Sequence, residues 1–222
     1  MRRLLLPALL ALVGASAPAA RGATLATDRD CYLQTSKTVV TMGVSGFPAD
    51  QPALISLDGA VMPDGHQAIR PDGTLSGAFN PPPLRSGEYE RTFMLDVSAA
   101  GVSARKRFTV TRFRASFSPS RGNVERMRVR FSAYGFGLLE RNPTIYLHYV
   151  APSGRHRKTI RLGQARGQCG SLPRTRLRRL FPFRHPEHGL WRLQFDTSRS
   201  YRKGTVRSRF LFYTLGVRVR SH

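Results

Sequence analysis

"MRVRFSAYGFGLLERNPTIYLHYV", residues 127–150, holds two runs of alternating apolar and polar side chains, separated by Gly135-Phe136, a short polar gap and Pro143. Alternation of this kind marks a half-buried β-strand, because successive strand side chains point to opposite faces. The same order stands earlier: "VVTMGVSGFPADQPALISLDG", residues 39–59, has an alternating run, Gly46-Phe47, a gap, Pro52 and a second alternating run. Further along, "GEYERTFMLD" (87–96) lines up with "GLWRLQFD" (189–196), and "RFTVT" (107–111) with "RFLFYT" (209–214). The chain reads as one unit used twice.

Short strand patterns punctuated by Gly, Pro, Asp and Ser are predicted at about 38–45, 53–58, 66–70, 74–79, 88–97 and 102–112 in the first unit. In the second they fall at about 113–117, 126–134, 144–150, 156–162, 174–180, 189–195 and 206–219. No segment keeps a helical period, so the fold class is all-β. Asp58-Gly59, Pro63-Asp64-Gly65 and Pro71-Asp72-Gly73 read as turns, in which Asp caps and Gly accepts a positive φ. Three Asp-Gly pairs invite a calcium reading, but no Asp-x-Asp-x-Asp-Gly spacing is present.

In size and pattern the units resemble the tandem bacterial immunoglobulin-like modules of secreted and surface proteins. There an alternating strand leads into a Gly-Phe corner and a proline, and the unit closes with a Gly-aromatic strand and an "RFTV"-type strand. The resemblance covers residues 24–220 and implies two immunoglobulin-like β-sandwich domains, 24–112 and 113–222, in an extracellular setting. It departs from antibody domains in lacking a Cys–Trp–Cys constellation within a unit. Fold alone fixes no function.

The N-terminus fits that setting. Met1-Arg2-Arg3, the apolar run Leu4–Val13 and the small residues that follow have the layout of a secretory signal peptide over residues 1–22, with processing after Ala19 or Gly22. Its apolar run falls short of the ~20 residues a membrane span needs. Residues 24–112 carry nine basic and nine acidic side chains; residues 113–222 carry twenty-four basic and four acidic ones, 24 − 4 = +20 of the chain's +23. Arg outnumbers Lys 32 to 4, as GC-rich coding would produce, yet codon bias does not explain why one half lacks acids.

Many arginines share strand parity: Arg126, Arg128 and Arg130; Arg155, Arg157 and Arg161; Arg174, Arg176 and Arg178, with Arg179 beside them; Arg207 and Arg209; Arg218 and Arg220. In a sandwich, the strand holding 126–131 and the last strand belong to different sheets, so arginine is expected on both outer faces. Charge spread in that way draws polyanions with little regard to stereochemistry, and guanidinium grips phosphate and carboxylate in two-pronged fashion. Arg126, Arg128, Arg130, Arg155, Arg157, Arg174, Arg176, Arg178, Arg179, Arg218 and Arg220 are the candidate polyanion-binding residues. The expected partners are anionic envelope polymers or lipid headgroups, with nucleic acid bound only non-specifically. The alternatives are a purely structural spacer with no polyanion ligand and, behind it, a nucleic-acid-binding protein. In "PRTRLRRLFPFRH" (173–185), Leu177, Leu180, Phe181 and Phe183 interleave with arginine; exposed, they would favour membrane insertion, and buried, an ordinary strand and turn.

Catalytic and cofactor signatures are absent: no Gly-x-Ser-x-Gly, His-Glu-x-x-His, Walker or dinucleotide-binding pattern occurs, and no cofactor is expected. His185, Glu187 and His188 surround Pro186 in a spacing that matches no familiar zinc site. Trp191 alternates with apolar neighbours and is assigned to the core. Cys31 and Cys169 lie in different units, so they pair only if the units fold back on one another; otherwise each is a buried thiol or bonds another chain. The neutral first unit, with "NPPPL" at 80–84, reads as a spacer or a head for a protein partner.

Overall fold

The computed structural model describes residues 22–220; the signal-peptide reading lies outside the described residues except for Gly22. Among the described residues, fifteen strands and one short 3-10 turn make up the regular structure, which is all-β and compatible with a β-sandwich. In the first half, β1 (Thr24–Thr27), β3 (Val40–Ser45) and β6 (Leu75–Phe79) form a sheet in the order β1-β3-β6. A second sheet has the order β2-β8-β7-β4-β5, from β2 (Cys31–Leu33), β4 (Pro52–Leu57), β5 (Ala60–Ala68), β7 (Glu90–Ala99) and β8 (Val102–Thr111). The alternation dictates what is buried: Val40, Met42 and Val44 of β3 join Leu95, Val97, Phe108 and Val110 of the second sheet in one core.

The second half repeats this order. β9 (Arg114–Ser118), β10 (Arg128–Tyr134) and β13 (Arg178–Arg179) form a sheet ordered β13-β10-β9, while β11 (Thr144–Val150), β12 (His156–Gln164), β14 (Gly189–Asp196) and β15 (Phe212–Val219) are ordered β12-β11-β14-β15. Position by position, β15-β14-β11-β12 matches β8-β7-β4-β5, and β9-β10-β13 matches β1-β3-β6. Both sheets bury alternate residues in a separate core around Phe131, Leu147, Trp191 and Phe195. Even the Gly-Phe corners agree: Gly46 and Gly135 each sit at φ 79, and Phe47 and Phe136 are buried.

Several sequence expectations need correction. Strands β1 and β2 lie upstream of the first predicted run; four and three residues are too few to display a period. Pro63-Asp64-Gly65 is not a turn between strands but part of an irregularity within β5, where pairing jumps from Leu54↔His66 to Ser56↔Val61. The predicted strand at 174–180 is broken: Leu172 pairs with Ala133, Thr175 bonds Phe131, and only Arg178–Arg179 forms a ladder with β10. The register shifts by two residues between those pairings, placing Arg176 and Leu177 outside it. Arg126 and Met127 precede β10, although Met127 still packs against the core. The last strand starts at Phe212 rather than 206, so Arg207 and Arg209 lie on no strand.

The Asp residues of two turns are engaged by protein groups. Asp58 accepts from the Met94 N–H at 2.9 Å and from Arg91 at 2.9 Å. Asp72 accepts from the Thr74 N–H at 3.0 Å and its hydroxyl at 2.6 Å, bonds that hold its carboxyl below the usual range.

Only Arg112 and Phe113 separate β8 from β9, and the two halves lie against each other. Cys31 and Cys169 form a disulfide, with Cα atoms 5.2 Å apart. The folded-back arrangement is therefore the one adopted. Beside it, Thr109 donates to Gln168 at 2.8 Å, and the rings of Tyr89 and Tyr134 meet at 5.2 Å. Gly170, at φ +63, presses so closely on the 3-10 turn Phe136–Leu138 that a Cβ on it would stand 2.3 Å from the Gly137 nitrogen.

Candidate anion-binding surface

None of the eleven arginines singled out from the sequence is buried: nine are exposed, and Arg130 and Arg178 are half-buried. Arg128, Arg130, Arg178 and Arg179 stand on the three-stranded sheet, with Arg126 just before it and Arg174 and Arg176 beside it. Arg157 and Arg218 stand on β12 and β15, the opposite edges of the four-stranded sheet, with Arg155 in the turn before β12 and Arg220 after β15. The set is spread over both sheets and is not gathered into one pocket.

Carboxylates leave this charge largely uncompensated. Of the eleven, only Arg157 is in an ion pair among the described residues, with Glu187 at 2.6 Å. Asp196 is fully buried and committed to His148 at 3.0 Å. Glu125 shares a small recess with Arg218 and Arg220 without forming an ion pair, and Glu140 is exposed and unpaired among the described residues. In the first half, Arg91–Asp58, Arg105–Asp96 and Lys106–Asp30 pair locally; no ion pair among the described residues links the halves.

The basic segment 173–185 turns most of its apolar side chains inward. Leu180 and Phe181 have no exposed area, and Phe183 packs on Trp191 with ring centres 5.2 Å apart. Tyr149 locks the segment by donating to the Leu180 carbonyl at 2.7 Å, and burial pushes its phenol pKa up. Leu177 alone is exposed, at 43%. His185 and His188 face solvent; Glu187 pairs with Arg157, and its carbonyl accepts from the Trp191 indole at 2.8 Å.

A buried polar network on the outer face of the four-stranded sheet was not legible in the sequence. His148 Nε2 donates to Asp196 Oδ1 at 3.0 Å and lies 3.1 Å from the Ser198 carbonyl; its Nδ1 is 2.7 Å from Thr159 Oγ1, which also meets His156 Nε2 at 3.0 Å. Hydroxyl, imidazole and carboxylate stand in the order used for acyl transfer, but His148 has no exposed area. Neither the imidazole nor the carboxylate has exposed area, and the half-buried Thr159 hydroxyl stands between the imidazole and the surface. The network instead pins the segment after β14: Ser198 N–H donates to Asp196 at 2.8 Å, and Gln194 bonds the Arg202 carbonyl at 2.8 Å and the Gly204 N–H at 3.0 Å. Tyr201 stacks on His156 at 4.8 Å and 6°. Burial and nearby His148 lower the His156 pKa below its ordinary 6.5.

Where the halves meet, Glu90 accepts a short hydrogen bond from the Ser171 hydroxyl. Burial raises its pKa above 4.5, while the bonds from Ser171 and Thr111 pull the other way. A raised carboxyl pKa means the folded protein holds this proton more tightly than the unfolded chain. The resulting stabilisation is full below pH 4.5 and is lost as pH rises through the folded value. Ser171→Ala removes a bond to the ionised form, so the Glu90 midpoint, followed by carboxyl NMR, is expected to move further up. A downward shift would show that the Ser171 hydroxyl does not stabilise the ionised carboxylate.

The chain matches no known family model and no curated protein.

Proposed function

We propose that this chain is a secreted, non-enzymatic protein that stays peripherally at the cell envelope, built from two immunoglobulin-like β-sandwich repeats, residues 24–112 and 113–222. The repeated strand order and the matching Gly-Phe corners support the repeat. The basic second repeat docks on anionic envelope polymers or lipid headgroups. The observation that carries this reading is the state of the arginines: exposed on both sheets, with few carboxylates opposing them. At physiological salt each charge is felt for about 8 Å, so a surface spread favours extended polyanions over a single small ligand. Because Leu180 and Phe181 are committed to the core, docking is by charge and not by insertion. The neutral first repeat serves as spacer or head.

The test is retention of purified mature protein on envelope material, or on vesicles containing anionic lipid, over a salt series from 20 mM to 1 M. Strong retention at low salt that disappears at high salt is expected, with no salt-resistant fraction. No retention at low salt would leave the spacer reading in its place. A salt-resistant fraction would point to apolar insertion.

A further inference from the structure

The hairpin between β7 and β8 turns through two residues, Ala100 and Gly101, whereas the equivalent connection from β14 to β15 takes fifteen, residues 197–211. Closing the sheet does not require those extra residues, and long connections carried on a rigid scaffold are where binding groups concentrate. This excursion is held across three strands by His148, His156, Gln194 and Asp196, as described above. Arg199 is exposed between the pinned residues Ser198 and Tyr201. It reaches the rim of an open cleft of about 550 Å³, otherwise lined by Thr144, Tyr146, Thr159 and Arg161.

We propose that this cleft binds a phosphate group. Its lining offers two guanidiniums and three hydroxyls and contains no carboxylate. Neither Arg161 nor Arg199 is in an ion pair among the described residues, and Asp196, which lies opposite Tyr146 in the sheet, is buried and engaged by His148. Two guanidiniums from different elements, one on β12 and one on the excursion, suit an anion with three or more acceptor oxygens; a carboxylate fills one fork. Thr159 is fixed between two imidazoles, which sets the floor of the cleft before a ligand arrives. The proposal rests on the docking reading for the source of its ligand, a phosphate of an envelope polymer or headgroup, but makes a separate claim: one saturable site within a diffuse field.

The test is calorimetric titration of the mature protein, at constant 0.15 M ionic strength, with inorganic phosphate, a glycerophosphodiester and acetate. One-site binding of a phosphate probe is expected, with acetate at least tenfold weaker. Preference for the diester assigns the site to a polymer or lipid phosphate; preference for inorganic phosphate assigns it to the free ion. Arg161→Ala with Arg199→Ala should weaken binding at least tenfold, while Arg107→Ala with Arg121→Ala, which removes the same charge at exposed positions outside the candidate surface, should change it less than twofold. Absence of saturation, acetate binding as tight as phosphate, or equal weakening by both pairs overturns the site. Envelope retention measured on the same variants separates the two claims: retention without saturable phosphate binding leaves the field and removes the cleft, and phosphate binding without retention does the reverse.

Discussion

Mature protein carrying Cys31→Ser and Cys169→Ser unfolds at a lower denaturant midpoint than the parent, with a loss of about 2–5 kcal/mol. The bond joins residues 138 apart in sequence, and the chain-entropy relation gives about 5 kcal/mol for a loop of that length, the top of the expected range. It is also the one covalent cross-link between two separate hydrophobic cores besides the main chain at Arg112-Phe113. With the disulfide intact, the halves are joined at two points, which favours a single transition. Without it, the contacts Thr109–Gln168, Ser171–Glu90 and Tyr89–Tyr134 remain, and the halves are expected to unfold in two resolved steps. Denaturant curves followed by Trp191 fluorescence, which reports the second core, and by far-ultraviolet circular dichroism, which reports both, make the check. Coincident curves at an unchanged midpoint would show that non-covalent packing alone couples the halves. Both cysteines are buried, so reductant added to the native protein should act slowly, and the serine variants are the cleaner measurement.

What was legible in the sequence is what period-two alternation can express. The runs that became β3, β4, β7, β8, β11, β12 and β14 were each placed to within a few residues, because each turns alternate apolar side chains into a core. Where the backbone departs from a regular ladder, alternation misleads. "RTRLRRL" alternates well, yet the two-residue shift between Leu172 and Arg178 leaves Arg176 and Leu177 outside the pairing. Arg207 and Arg209 alternate as well, but they lie in the excursion after β14. The pairing of Cys31 with Cys169 depends on how the halves dock, and no local pattern encodes that. The same limit hid the His148–Asp196 pair: the residues are 48 apart, and only the antiparallel register of β11 on β14, which sets His148 opposite Gln194, brings the imidazole to the carboxylate. Arg161 was noted for its parity and Arg199 was not singled out, since their shared cleft exists only once residues 197–204 lie across the sheet.

His148→Ala is expected to destabilise the second half by about 3 kcal/mol and to open the segment 197–211 to protease. The imidazole has no exposed area and contacts Thr159, Asp196 and the Ser198 carbonyl within 3.1 Å. Its removal leaves a void beside a buried carboxylate, which retains only the Ser198 N–H and the Gln194 amide as donors. The cost is therefore that of a stripped buried charge added to lost packing, larger than for an exposed pair such as Arg29–Asp28. Because Ser198 is tied to both His148 and Asp196, the loss passes directly to the excursion, whose Arg199, Arg202 and Lys203 are exposed trypsin sites. Brief trypsin treatment of the native variant should yield cuts after these residues, identified by mass spectrometry, that the parent resists. His148→Asn, which keeps a side-chain N–H donor at reduced size, is expected to fall between the two. Lys203→Ala should leave the segment protected at Arg199 and Arg202, because the exposed Lys203 side chain makes no hydrogen bond or ion pair among the described residues. Unchanged stability and unchanged cleavage in His148→Ala would mean that Gln194 and Asp196 hold the excursion without the imidazole.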